Sequence, residues 1–245
     1  MADSTQNEKN NSFLSKIHKL VEKLTKPQLI NICIELSFII FLSGLIIGYI
    51  IAAFATGYNM WDNYISDLGS IRYTPAPFIL DIIAMTTSVL LFPVLVYFSW
   101  SLYQATKKEA EGKWKAFYIV MKIFIIIGFI LLVSAAVGFF GIGLFSEDRT
   151  TALGLHYFFS VVVFGSFGFS SIFNGIVVLF QNRNFELIYH RIIGVCMLFI
   201  NVPVSILFIV LPPLVSIHFM EWMMLFSVFT WIMPTSIAIK KNLDI

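Results

Sequence analysis

In 245 residues the chain is 58% apolar and only 12% charged, with 26 phenylalanines and a formal net charge of +2. So little polar surface excludes a soluble globular domain, and so small a charge gives no reason to expect nucleic-acid binding. The direct reading is a multi-pass membrane protein whose partners are membrane lipids.

Residues 1–11 are polar and read as a disordered tail. No short apolar core precedes a small-residue cleavage site, so no removable signal peptide is expected. From Ser12, a good N-cap, Phe13, Leu14, Ile17, Leu20, Val21 and Leu24 recur at helical spacing, while Lys16, Lys19, Lys23 and Lys26 take the other faces. A basic amphipathic helix of this kind lies on an anionic membrane surface. The alternative is a cytoplasmic extension with no lipid role.

Crossing a hydrocarbon core about 30 Å thick takes a helix of about 20 apolar residues. Six stretches meet this: Leu29 to Ala55, Phe78 to Tyr103, Ala116 to Leu144, Leu155 to Phe180, Ile192 to Leu211, and Ile217 to Ile239. Pro212-Pro213 divides the last two, because proline cannot continue a helix. Lysine and arginine collect in the N-terminal arm, in the loop after span two (Lys107, Lys108, Lys113, Lys115), in the loop after span four (Arg183, Arg191) and in the tail (Lys240, Lys241); the opposite loops hold only Arg72 and Arg149. The excess of positive charge that stays cytoplasmic then places both termini inside. The expected fold is all-α: a polytopic membrane bundle of six transmembrane helices, with residues 1–28 a cytoplasmic arm, 29–239 the transmembrane domain and 240–245 a cytoplasmic tail. In a prokaryote its place would be the plasma membrane.

Small residues four apart mark close helix approach, as with Gly44, Gly48 and Ala52, Ser134 and Gly138, and Ser171 and Gly175. Pro93 and Pro203 lie mid-span and predict kinks or freed carbonyls. Cys33 and Cys196, each within an apolar span, read as packing residues rather than a disulfide. Glu35 and Lys122 lie at matching depth near the cytoplasmic ends of spans one and three and predict a structural intramembrane ion pair, with a proton or ion relay as the alternative.

The outer face gathers Asp62, Ser66, Asp67, Arg72, Asp81, Glu147, Asp148, Arg149, His156, His218 and Glu221. Asp81 lies a turn inside span two, where an isolated charge is costly and must be paired, protonated or turned to a polar cavity. His218 and Glu221, three apart, share a helix face. His156, Ser160, Ser170 and Asn174 fall on one stripe of span four, either bonding neighbouring helices or lining a pocket. The candidate pocket is Ser66, Asp67, Asp81, His156, His218 and Glu221, binding a lipid head group or a cation. As a rival, His156, His218, Asp67 and Asp81 could ligate zinc, the one candidate cofactor, and activate water for lipid hydrolysis. No HExxH, CxxC or tight histidine cluster supports that rival. A Ser66 nucleophile served by His156 or His218 is weaker still.

The run Tyr64-Ile65-Ser66-Asp67-Leu68-Gly69, followed by Pro75, Pro77 and an apolar span, resembles the DUF998 family of multi-pass membrane proteins. Gly141 to Asp148 followed by His156 is similar to that family's second outer-loop signature. A more distant similarity links the layout to DRAM and Sfk-type six-span proteins. The resemblance implies six spans with the Ser-Asp loop and the histidine on the non-cytoplasmic side, and a role connected with lipids centred on Ser66, Asp67 and His156. It implies no settled activity.

Overall fold

The computed structural model describes residues 15–16, 19–109, 115–150, 152–180, 187–210 and 215–243. Among them every regular element is helical: α1 (Pro27–Thr56), α2 (Phe78–Glu109), α3 (Lys115–Leu144), α4 (Leu155–Phe180), α5 (Leu187–Cys196), α6 (Val202–Val210) and α7 (Ile217–Leu243). Six helical stretches are long and apolar enough to cross a membrane, with α5 and α6 forming one of them, and each begins within two residues of its expected start. Of the N-terminal arm, residues 19–24 are helical, with Lys19 and Lys23 exposed and Val21 and Leu24 half-buried. Ser12, Phe13, Ile17, Leu211 and the Pro212-Pro213 break lie outside the described residues.

The outer surface of the bundle is apolar. Phe54 is 90% exposed, Ile209 74% and Ile39 63%. Water would drive such surfaces together, whereas lipid chains solvate them. Inside, Leu132, Val163, Phe167, Val177, Met197, Val228 and Trp231 form one buried core. The small-residue seams bring helices into contact: a Cβ on Gly44 would fall 2.3 Å from Ile83, one on Gly138 2.9 Å from Val163, and one on Gly175 2.9 Å from Leu198. Both cysteines are free, Cys33 buried and Cys196 partly so.

Consecutive helices α1 to α4 pack as neighbours, α5 and α6 lie against α4, and α7 lies against α5 and α6. The effect of Pro203 takes a specific form. Its missing N–H breaks the regular ladder, and residues Met197–Asn201 widen into a π-helical turn in which Val202 N–H reaches back to the Met197 carbonyl. The turn carries Asn201 inward, where it accepts a hydrogen bond from Ser171 Oγ at 2.8 Å and donates to Ser227 Oγ at 2.8 Å. That amide ties α4, α5, α6 and α7 together at mid-depth.

The ion pair expected between Glu35 and Lys122 is not formed. Glu35 bonds Lys240 at the end of α7, at 2.6 Å, and the Lys122 ammonium stands over the Tyr103 ring, 5.7 Å from its centre. The reason is the order of helices: α3 packs on α2, so Lys122 meets the α2 aromatic, while α1 meets the last helix at this end. The Glu35–Lys240 bond also places the start of the first span and the end of the last at one end of the bundle.

Candidate functional site

At the opposite end the first loop is a folded cap. Gly57, at φ +73°, closes α1 with a left-handed residue whose N–H bonds the Ala53 carbonyl, a conformation that glycine adopts at little cost. The Asn59 side chain accepts the N–H groups of Trp61 and Asp62 at 3.0 Å each and tightens the turn. The 3₁₀ turn Ser66–Gly69 then presses Ile65 and Leu68, with Tyr58, into a second core against Leu80, Ile83 and Trp222. Polar by composition, the loop is held by three apolar anchors.

Its carboxylate partners come from the loop itself and from two other elements. Asp67, 4% exposed, accepts the Tyr64 N–H at 2.9 Å. Glu221, buried on α7, accepts the Ile65 N–H at 2.7 Å and a second hydrogen bond from the Ser66 backbone. Asp148, in the turn Glu147–Arg149 after α3, accepts from Ser70 Oγ at 2.9 Å and from Ile71 N–H at 2.6 Å. Arg149 bonds Asp81 at 2.6 Å and the Gly143 carbonyl at 2.9 Å. That pairing resolves the buried charge on α2, and Gly143 makes room for it: a Cβ there would lie 2.5 Å from the Asp81 carbonyl.

Burial, then the neighbouring carboxylates of Glu221 and Asp67, hold the Tyr64 hydroxyl above its ordinary value. Glu147 is exposed as a residue, yet its carboxyl end faces Asp67 within hydrogen-bonding reach. Partial burial and the Asp67 charge, with a smaller contribution from Asp148 and an opposing one from Arg72, push it up to about 7 from an ordinary 4.5. An acid whose folded value is raised binds its proton more tightly when folded, so the stability it contributes is present below pH 4.5 and falls away as pH rises through 7. Melting temperatures taken between pH 4.5 and 8 should decline across this window in the parent and decline less in Glu147→Gln; identical profiles would contradict the Asp67–Glu147 contact.

The histidines are engaged singly. His156 Nδ1 lies 2.8 Å from the Phe145 carbonyl, which only accepts, so this nitrogen carries the proton; Nε2 is buried without a partner. His218 Nδ1 lies 3.1 Å from Ser216 Oγ, and its ring sits 4.1 Å from that of Tyr64. His218 and Glu221 thus share a helix face without bonding each other, and both hold the first loop. Among the described residues no three His, Cys, Asp or Glu side chains come together to hold a metal ion. The proposed zinc ligands His156, His218, Asp67 and Asp81 are dispersed because Asp81 is taken by Arg149 and the histidines flank the loop from different helices. No hydrogen bond joins Ser66 to either histidine.

The α4 stripe also differs from a pocket lining. Ser160 and Ser170 bond carbonyls of their own helix, Ser171 reaches Asn201, and Asn174 is fully buried with neither amide atom partnered. A cavity does lie at this end of the bundle, but α4 turns Val163, Phe164 and Phe167 toward it. The space totals about 900 Å³ outside the atoms, part of it open to the exterior. Its walls are apolar, with Phe38 and Phe41 from α1, Leu91 from α2, Ile142 from α3 and Val228 and Ile232 from α7 among them. Ser37, Ser66, Thr87 and Glu221 are the polar residues that reach it, and Ser66 and Glu221 mark its loop end. Sequence patterning could not disclose this space, because its lining comes from five helices and a loop. Compared with known proteins, the chain matches no family model, no curated protein and no solved structure.

Proposed function

We propose that this is a non-catalytic multi-pass membrane protein that binds the head group of a membrane lipid at its loop face, with Glu221 as the acceptor for a donor on that head group. The observation that supports the reading most is the position of Glu221: a buried carboxylate at the polar end of a cavity whose walls are otherwise almost wholly apolar. A carboxylate offers about four acceptor positions; the loop backbone occupies two of Glu221's, leaving others for an amine or hydroxyl. Asp67 and Glu147 nearby add negative charge and favour an amine. The distribution of lysine and arginine supports a non-cytoplasmic placement of this face, and the resemblance to the DUF998 family belongs to the same proposal.

A ligand that binds only the folded state raises stability in proportion to the logarithm of its concentration. Phosphatidylethanolamine added to detergent-purified protein is therefore expected to raise the melting temperature more than phosphatidylglycerol does, and Glu221→Gln is expected to abolish the difference. Equal shifts for the two lipids in the parent would refute the reading.

A further inference from the structure

Three features of the cavity have no role in holding the loop. The first is its length. Along α7 the lining runs from Glu221 to Ile232, roughly 16 Å at the helical rise of 1.5 Å per residue. That is far deeper than a head group needs. The second is a buried hydroxyl. Thr87, 4% exposed, reaches the cavity and its Oγ1 has no hydrogen-bond partner. It stands two turns below Leu80, roughly 10 Å from the loop end, in surroundings where an unsatisfied polar group is costly. The third is the wall between the first and last helices. α1 and α7 both line the cavity yet scarcely pack on each other. The Phe41 and Phe229 rings meet there at 5.6 Å, and the Glu35–Lys240 bond closes the far end.

We infer that the cavity takes one acyl chain of a membrane lipid, threaded between α1 and α7, with the donor of the head group on Glu221 and the ester carbonyl accepting from Thr87 Oγ1. The inference rests on the head-group reading above and extends it to the rest of the ligand. Each feature then has a counterpart. The carboxylate meets the donor, the lone hydroxyl meets the one acceptor at intermediate depth, and the apolar remainder meets methylenes. The loosely packed α1–α7 wall is continuous with the bilayer, so the chain enters sideways and its polar end alone lies beneath the loop. Phe41 and Phe229 are the side chains that must part.

The test is a native mass-spectrometry titration with lysophosphatidylethanolamine, which has one chain and an amine, against the parent, Glu221→Gln, and the cavity-filling variants Thr87→Leu and Val228→Phe. Thr87→Leu removes an unpartnered hydroxyl and fills space, so it should fold at least as stably as the parent; its melting temperature verifies this and keeps the test open should Val228→Phe misfold. Both filled variants and Glu221→Gln are expected to weaken binding, the filled ones by roughly tenfold or more. Parent-like binding in the filled variants with weakened binding in Glu221→Gln would overturn the chain inference and leave the head-group reading standing. Weakened binding in the filled variants with parent-like binding in Glu221→Gln would overturn the head-group reading and, with it, the inference as stated. Parent-like binding in all three would overturn both.

Discussion

Glu221→Ala is expected to release the first loop from the bundle and to destabilise the protein by about 3 kcal/mol. Truncating the side chain removes the acceptor of the Ile65 N–H and of a second hydrogen bond from the Ser66 backbone. Each buried amide left without a partner costs ~1–3 kcal/mol, and Tyr58, Ile65 and Leu68 remain to hold the loop by apolar burial. Glu221→Gln keeps a carbonyl acceptor and should cost ~1 kcal/mol. Trypsin provides a local readout. Arg72 lies on the exposed part of the loop, so cleavage after Arg72 should accelerate strongly in Glu221→Ala and modestly in Glu221→Gln. Equal cleavage in all three proteins would mean that Glu221 does not hold the loop.

The second large effect is expected where the start of α2 meets the turn after α3. Arg149→Ala strands the Asp81 carboxylate, whose side chain is 7% exposed, in an apolar setting. Breaking a fully buried pair from one side costs ~3–5 kcal/mol. Because the Arg149 side chain is 54% exposed, water partly replaces it, and a loss of ~2–3 kcal/mol is the expected value. Asp81→Asn combined with Arg149→Ala removes the stranded charge and should recover much of that loss, giving a favourable coupling in a double-mutant cycle. A double variant as unstable as the sum of the two singles would show that the pair carries no interaction of its own.

Much of the fold could be read in the sequence because the membrane imposes a simple rule: each crossing needs a long uninterrupted apolar helix. Hence the six spans and their starts followed from composition, and the seams at Gly44, Gly138 and Gly175 from the spacing of small residues. Pairing was less legible. Glu35 and Lys122 match in depth, but depth does not say which helices are neighbours, and Lys240, at the chain's far end, took the carboxylate. Asp81 and Arg149 were both visible as outer-face charges without any signal that they meet. Asn201 offered no warning, since it becomes a central hydrogen-bonding residue only through the π-turn ahead of Pro203. In the site, Asp67 and Glu221 both accept hydrogen bonds from the first loop, whereas His156, Ser160 and Ser170 bond nearby carbonyls, His218 bonds the Ser216 hydroxyl and Asn174 has no partner.

The site therefore reads as a capped apolar cavity with a carboxylate at its loop end, and we propose that it binds lipid. The most direct measurement is lipid extraction and mass spectrometry of the protein purified in mild detergent, compared with Glu221→Gln prepared in parallel. A stoichiometric, amine-bearing lipid is expected to persist through purification in the parent and to be depleted in the variant. A parent protein that is stable and folded yet carries no lipid above the detergent background would contradict lipid binding.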